Sequence, residues 1–465
     1  MPTGIKTSAN TQTIMTALLT NTDLAPGCTA VRVPGSSASV ASLQANVGWA
    51  LAGNVVFAAC QWGMLIVLAR LGNSRVVGQF ALGLAIATPV ITLANLQLRS
   101  VQATDAKNRY SFADYFRLRR KTTLLGMLTI LAIVFASGLR TATALVVIAV
   151  GMAKAVESLS DIYYGQFQNR ERLGSIAQSM ALRGTLGLAA LGATLYFTGA
   201  ASWAVAALVL AWMTVLLGFD RKRSRNLPDD IAAPHDGSLR FFKTSDLSLA
   251  RTAFPLGIVT ALMSLQMNMP RYFVQWHAGE ATLGIFSAIA YLGTLLTVLT
   301  DSIGLAATPR MAKYFTTGQL HELRRLLVRL TAVGGGAAVM AIVVAAVAGA
   351  LVLRLAYGAE YAPYRGLFVW LMLATGVGCV GTLLCSALTA GGHFRQQIVV
   401  YGAAVTVAAV SCALLTPKYG AQGAALAMIL AATVHVLLSA VFLSRMLRSA
   451  AGPVLPGSPG PRVML

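Results

Sequence analysis

From Asn46 onward the chain is a succession of long apolar runs separated by short polar breaks. A helix that crosses a bilayer needs about 20 apolar residues. About twelve runs approach that length, near 46–69, 80–98, 122–138, 141–164, 174–197, 200–219, 252–276, 281–305, 330–353, 366–390, 396–416 and 420–443. The pattern predicts an all-α polytopic membrane protein with about 12 transmembrane helices in two six-helix pseudo-symmetric lobes. Residues 46–219 form the N-lobe and 252–445 the C-lobe. Between them, 220–251 reads as a linker, with the basic run Arg221–Asn226 and two prolines in Pro228–Gly237. Residues 1–45 are rich in Ser, Thr, Ala and Asn, and 446–465 contain GPVLPGSPGP; both read as disordered tails.

Composition agrees with this reading. The chain is 56% hydrophobic and only 11% charged, against roughly a quarter charged in soluble domains. A net charge of +21 would suggest nucleic acid in a soluble protein, but here its distribution matters more. Of the 36 Lys and Arg, 27 lie in the two tails or in loops after even-numbered spans. Positive residues stay on the cytoplasmic side, so both termini are expected in the cytoplasm and no nucleic-acid partner is implied. The loop Arg99–Lys121 holds seven of these residues, and its Phe112, Tyr115 and Phe116 suggest a short helix lying in the interface.

Two halves resemble each other. Gly199 opens a turn and helix similar to those at Gly420; Gly78-Gln-Phe80 pairs with Gly284-Ile-Phe286, and Gly165-Gln-Phe167 with Gly392-His-Phe394. Transporters built from such repeats hold their substrate between the halves and rock them around it.

Intramembrane polar groups are the candidate chemistry. Lys154, Glu157 and Asp161 fall on one helical face at about 100° per residue, and Arg183 returns to similar depth on the next span. A charge in hydrocarbon costs at least ~2.5–3.5 kcal/mol, so these four must face one another or a wet cavity. They are either an ion-paired staple or part of a transport path. The first span carries Asn54 and Gln61; the second ends at Arg99; the seventh carries Asn268 and Arg271; the eighth carries Asp301. These matching spans would line a central cleft, with Arg70 and Arg271 at its outer mouth and Arg99 and Asp301 at its inner one. Guanidinium groups there suit a phosphate or pyrophosphate through paired hydrogen bonds. Arginines at helix ends also snorkel to lipid headgroups, the reading favoured for Arg70.

There is no P-loop, GxSxG or HExxH, and the five cysteines and five histidines have no metal-ligand spacing. The sequence therefore implies neither an enzyme nor a cofactor or metal.

Several stretches resemble the Wzx-type polysaccharide flippases of the multidrug/oligosaccharidyl-lipid/polysaccharide exporter superfamily. They are LARLGNSRVVGQFALGLAI, GEATLGIFSAIAYL, PRMAKYFTTGQLHELRRLL and LRLAYGAEYAPYRGLFVWLMLA, in that order. The resemblance implies a protein of the bacterial inner membrane that moves an undecaprenyl-diphosphate oligosaccharide from the inner to the outer leaflet by alternating access. It also implies membrane lipids, a polysaccharide polymerase and chain-length machinery as partners. The family often has an acidic residue before the arginine late in the seventh span; here Pro270 stands before Arg271, so no ion pair is carried over. Asp301, Glu157 and Asp161 are the candidate proton or cation carriers. A cation-coupled drug antiporter of the same superfamily and a membrane glycan polymerase are the rival readings.

Overall fold

The computed structural model describes residues 40–105, 109–225, 244–392 and 394–450. The N-terminal tail up to residue 39, the linker centre and the end of the C-terminal tail lie outside the described residues, as do Cys28 and His393.

The described chain is helical. The N-lobe comprises α1 (Val40–Leu71), α2 (Ser74–Asn95), α3 (Phe112–Ala136), α4 (Thr141–Asn169), α5 (Leu173–Thr198) and α6 (Ala201–Val215). From Val215, α6 continues through a π turn, Leu216–Asp220, to Arg225. In the C-lobe the run Thr244–Leu292 bends at Gly279, giving α7 (244–278) and the first part of α8, which resumes over Thr294–Thr316. Then follow α9 (Leu320–Tyr357) and α10 (Arg365–Ala390), and the run Phe394–Ala450 bends at Gly420 into α11 (394–419) and α12 (421–450). Nine helical runs are long and apolar enough to cross a membrane among the described residues. Two of them are double spans bent at glycine, and α3 adds one whose first turns are charged, which accounts for the expected twelve.

Local chemistry sets several boundaries. Asn73 caps α2 by accepting the Val76 amide at 3.0 Å. Ser111 and Asp114 form a reciprocal capping box at the start of α3. Phe112, Tyr115 and Phe116 are therefore the opening turns of α3, not a separate interfacial helix; the short helix in this loop is Leu98–Thr104 instead. Helix also reaches into both ends of the stretch read as linker, to Arg225 and from Thr244.

The repeat is visible in the backbone. Gly199 and Gly420 both adopt positive φ between spans, at 64° and 56°. Glu171 and Gly392 do the same one turn earlier in each lobe, at the same spacing (420 − 199 = 392 − 171). This corrects the third sequence pairing: Gly165 is buried within α4, and Glu171 is the true counterpart of Gly392.

Gly78 and Gly284 mark where the lobes cross. A methyl at Gly78 would sit 1.8 Å from the Glu280 carbonyl oxygen, and one at Gly284 would sit 1.8 Å from the Ser74 carbonyl oxygen. The contact is reciprocal, as a two-fold relation between halves requires. Around it, buried residues of both lobes merge into one core, from Leu68, Val77 and Ile130 to Phe286, Tyr357 and Tyr361. At the opposite end, which bears the basic loops, the C-lobe packs its own core around Met311, Leu323 and Leu388. The N-lobe there has a separate one around Leu98, Tyr115 and Ile162, which only the leading turns of α7 join, through Leu249 and Ala253. The lobes thus share one core at the far end, whereas at the basic end their cores are separate and only the leading turns of α7 bridge them, with Asp246 paired to Arg117 at 3.0 Å and Lys121 at 2.9 Å.

Candidate functional site

Between α1, α2, α4 and α5 lies a cavity of about 510 Å³. Its walls include Asn95, Arg99, Lys154, Glu157, Asp161 and Arg183. The four charges read from the α4–α5 hairpin thus line one cavity, and Arg99 joins them. Lys154 Nζ pairs with Glu157 Oε2 at 2.8 Å, and Arg183 Nη2 approaches Glu157 Oε1 at 3.8 Å. Arg99 Nη1 pairs with Asp161 Oδ1 at 3.1 Å, and Arg119 Nη2 approaches Asp161 Oδ2 at 3.4 Å. Arg99 Nε also donates to Gln168 at 3.3 Å, and Ser158 donates to Asn95 at 2.5 Å.

Four cations therefore surround two carboxylates. Arg183 is 2% exposed and sits among Phe57, Tyr164 and Trp212, with its guanidinium carbon 4.8–5.6 Å from the ring centroids. Its Nε and Nη1, and those of Arg119, make no hydrogen bond. Buried guanidinium N–H groups without acceptors are costly unless an anion meets them. The arrangement can hold a doubly charged anion without recruiting any further cation.

Far-end contacts tie the lobes together above this cavity. Glu280, which follows the Gly279 bend, accepts from Arg75 Nε at 2.7 Å, from Gln79 at 3.4 Å and from the Thr143 hydroxyl. Arg70 donates to the carbonyls of Arg354, Leu355 and Ala356, the last turn of α9. It caps a helix terminus of the other lobe, instead of reaching for lipid. Trp62 Nε1 donates to the Tyr357 hydroxyl at 3.1 Å.

No protein-family profile matches the chain. CapF, a capsular polysaccharide biosynthesis protein of Staphylococcus aureus, is 24% identical over 381 residues, covering 82% of this chain and 94% of its own. An inward-facing multidrug resistance transporter of the MATE family of the MOP superfamily superposes with a TM-score of 0.69 at 14% identity, over 86% of this chain and 98% of that one. The lipid II flippase MurJ, in an inward closed conformation, gives a TM-score of 0.65 at 9% identity, over 87% and 90%. The chain has the MOP superfamily transporter fold.

Within that fold the other expected residues separate. Arg271 Nη1 donates to Asn268 Oδ1 at 2.5 Å, and Asn268 is fixed in turn by donating to the Ser264 carbonyl at 2.8 Å. Tyr291 lies within electrostatic reach of both Arg271 and Glu157, and its hydroxyl donates to Gln61 Oε1 at 3.3 Å. Arg271, Asn268 and Gln61 do not line the charged cavity; Tyr291 is the group that links them electrostatically to Glu157 on its wall. Asn54 is exposed on α1 and does not line the cavity. Asp301 is exposed on α8, with no hydrogen bond or ion pair among the described residues, and it does not line the cavity that holds Arg99.

Arg119 was counted only as part of the basic loop. The stripe Tyr115, Arg119, Thr123, Gly126, Ile130 is a buried helical face, and its spacing carried the signal. Glu280 had no such signal, because its role depends on a contact across the lobes.

Proposed function

We propose that this protein is a flippase for a lipid-linked oligosaccharide, moving a polyprenyl-diphosphate glycan from the cytoplasmic to the outer leaflet of a bacterial inner membrane. The observation that carries this reading is the cation surplus at the cavity: Arg99, Lys154 and Arg183 outnumber Glu157 and Asp161 on its wall, and the buried Arg119 adds a fourth positive charge behind Asp161. A diphosphate diester carries two negative charges, and these would offset that surplus. A glycan headgroup cannot cross hydrocarbon unaided, whereas its polyprenyl tail can stay in the bilayer.

The relatives support the direction. CapF belongs to capsular polysaccharide biosynthesis and MurJ is a lipid II flippase. One core shared at the far end, against separate cores bridged only by the leading turns of α7 at the basic end, suits a cytoplasm-open state, with both termini in the cytoplasm by the charge bias. Alternation to an outward-open state would break the Glu280 contacts and close the basic end. A polysaccharide polymerase and chain-length machinery would then take the glycan on the outer face. A cation-exporting drug antiporter would need acidic residues to dominate the cavity, and here they are outnumbered.

Binding of a fluorescent polyprenyl-diphosphate disaccharide to purified protein in nanodiscs tests the reading. Arg99→Gln and Arg183→Met should each weaken binding about tenfold or more, the loss of one charge-assisted contact. Equal affinity for the uncharged polyprenyl alcohol would defeat the proposal.

A further inference from the structure

Asp220 is 0% exposed, yet it has no ion pair among the described residues. It closes the π turn that ends α6. A straight continuation of the inward stripe Leu208–Trp212 would bring Phe219 and Arg223 to the interior at about 100° per residue. The extra residue of the π turn advances the register by one and buries Asp220 and Ser224 instead.

Two hydroxyls face this carboxyl, and a third stands behind one of them. Ser179 Oγ donates to Asp220 Oδ1 at 2.6 Å. That uses the only Ser179 hydroxyl proton, so the Tyr164 hydroxyl, 2.7 Å from Ser179 Oγ, is the donor in that pair. Ser160, 0% exposed, also faces the carboxyl. Ser160 Oγ and Asp220 Oδ2 are both buried without a hydrogen-bond partner. An ionised carboxylate with one bare oxygen costs several kcal/mol at such a place. A neutral acid removes the buried charge, and its own O–H can donate to Ser160 Oγ.

The chain Asp220–Ser179–Tyr164 leads to the substrate cavity, since Tyr164 lines its wall beneath the guanidinium groups of Arg99 and Arg183. The charged and titratable groups around Asp220 are Tyr163 and Tyr164 from α4, Arg183 from α5, and Arg221 on its own helix. We propose that Asp220 is a proton-binding site linked to the cavity: protonated, it leaves Arg183 free to hold the diphosphate; ionised, it competes with that anion for Arg183. The linkage is reciprocal, so diphosphate binding favours proton uptake and proton release to water favours discharge. This inference rests on the flippase reading for its ligand.

The test uses a polyprenyl-diphosphate sugar, a diester whose own charge is constant over the range examined. Wild-type affinity should rise about tenfold between about pH 9 and about pH 5, within the usual range of coupled sites. Asp220→Asn should bind at the low-pH affinity throughout. Infrared spectra of the ligand-free protein should contain a protonated-carboxyl band that titrates away at high pH and is absent in Asp220→Asn. A flat wild-type affinity profile, or a band that survives in Asp220→Asn, would overturn the linkage. Were no diphosphate lipid to bind at any pH, the flippase reading would fall, while the infrared spectra would still report on the proton site.

Discussion

Replacing Glu280 by Gln should loosen the far end and shift the lobes toward opening there. The carboxylate is 13% exposed and binds three groups of the other lobe: Arg75, Gln79 and Thr143. The Arg75 partner is 50% exposed, so its ion pair contributes only about 0.5 kcal/mol after screening. Hydrogen bonds from Gln79 and Thr143 to a charged acceptor contribute roughly 1.5–3 kcal/mol each, and about 1 kcal/mol each to a neutral one. An amide keeps the shape but loses the charge, so the far-end contact weakens by about 2 kcal/mol. Since 1.4 kcal/mol is tenfold, the ratio of far-end-open to closed molecules should rise about 30-fold. Spin labels at Phe197 and Leu355, exposed at the far ends of α5 and α9, would report it by pulsed dipolar spectroscopy. A longer-distance population should grow in Glu280→Gln. Identical distance distributions in variant and wild type would refute the idea that these contacts hold the lobes shut.

Gly78→Val should prevent the close crossing altogether, because even a methyl there meets the Glu280 carbonyl oxygen at 1.8 Å; the same spin labels should lose the short distance. Arg119→Met should weaken diphosphate binding about tenfold yet change the thermal midpoint little, since Asp161 keeps Arg99 as its partner; a large fall in midpoint with unchanged binding would assign Arg119 to structure alone. At the basic end, burial pushes the Asp114 carboxyl up, but hydrogen bonds from Ser111 and Arg117 outweigh this and hold it below its ordinary value. Its contribution is then complete above the ordinary carboxylate range and is lost as pH falls through the lowered value. Acid should therefore cost wild type more stability than Asp114→Asn, as read from thermal midpoints along a pH series.

The spans were legible because the bilayer demands length and apolarity that soluble packing does not. The four charges of the α4–α5 hairpin were legible for the same reason: hydrocarbon leaves Lys154, Glu157, Asp161 and Arg183 no alternative to a shared cavity. Arg119 was hidden by its basic neighbours Arg117, Arg120 and Lys121, since charge density in a loop masks a helical stripe. Glu280 and Asp220 were hidden for different reasons. The first matters only through a contact between sequence-distant lobes. The second faces inward only because a π turn shifts the register, which periodicity at 3.6 residues does not register. Asp301 is exposed on α8 and lies outside the charged cavity, so the structure adds no partner among the described residues to the lone acid that the apolar span made conspicuous.

The most direct test of the account is leaflet transfer itself. Proteoliposomes with a fluorescent polyprenyl-diphosphate oligosaccharide in one leaflet, quenched from outside by a membrane-impermeant reductant, report its movement. The cationic cavity predicts transfer by the wild-type protein and its loss in a combined Arg99→Gln, Arg183→Met variant that still folds and inserts. Transfer at the wild-type rate by that variant, or none by the wild-type protein while a cationic drug is carried across, would contradict it.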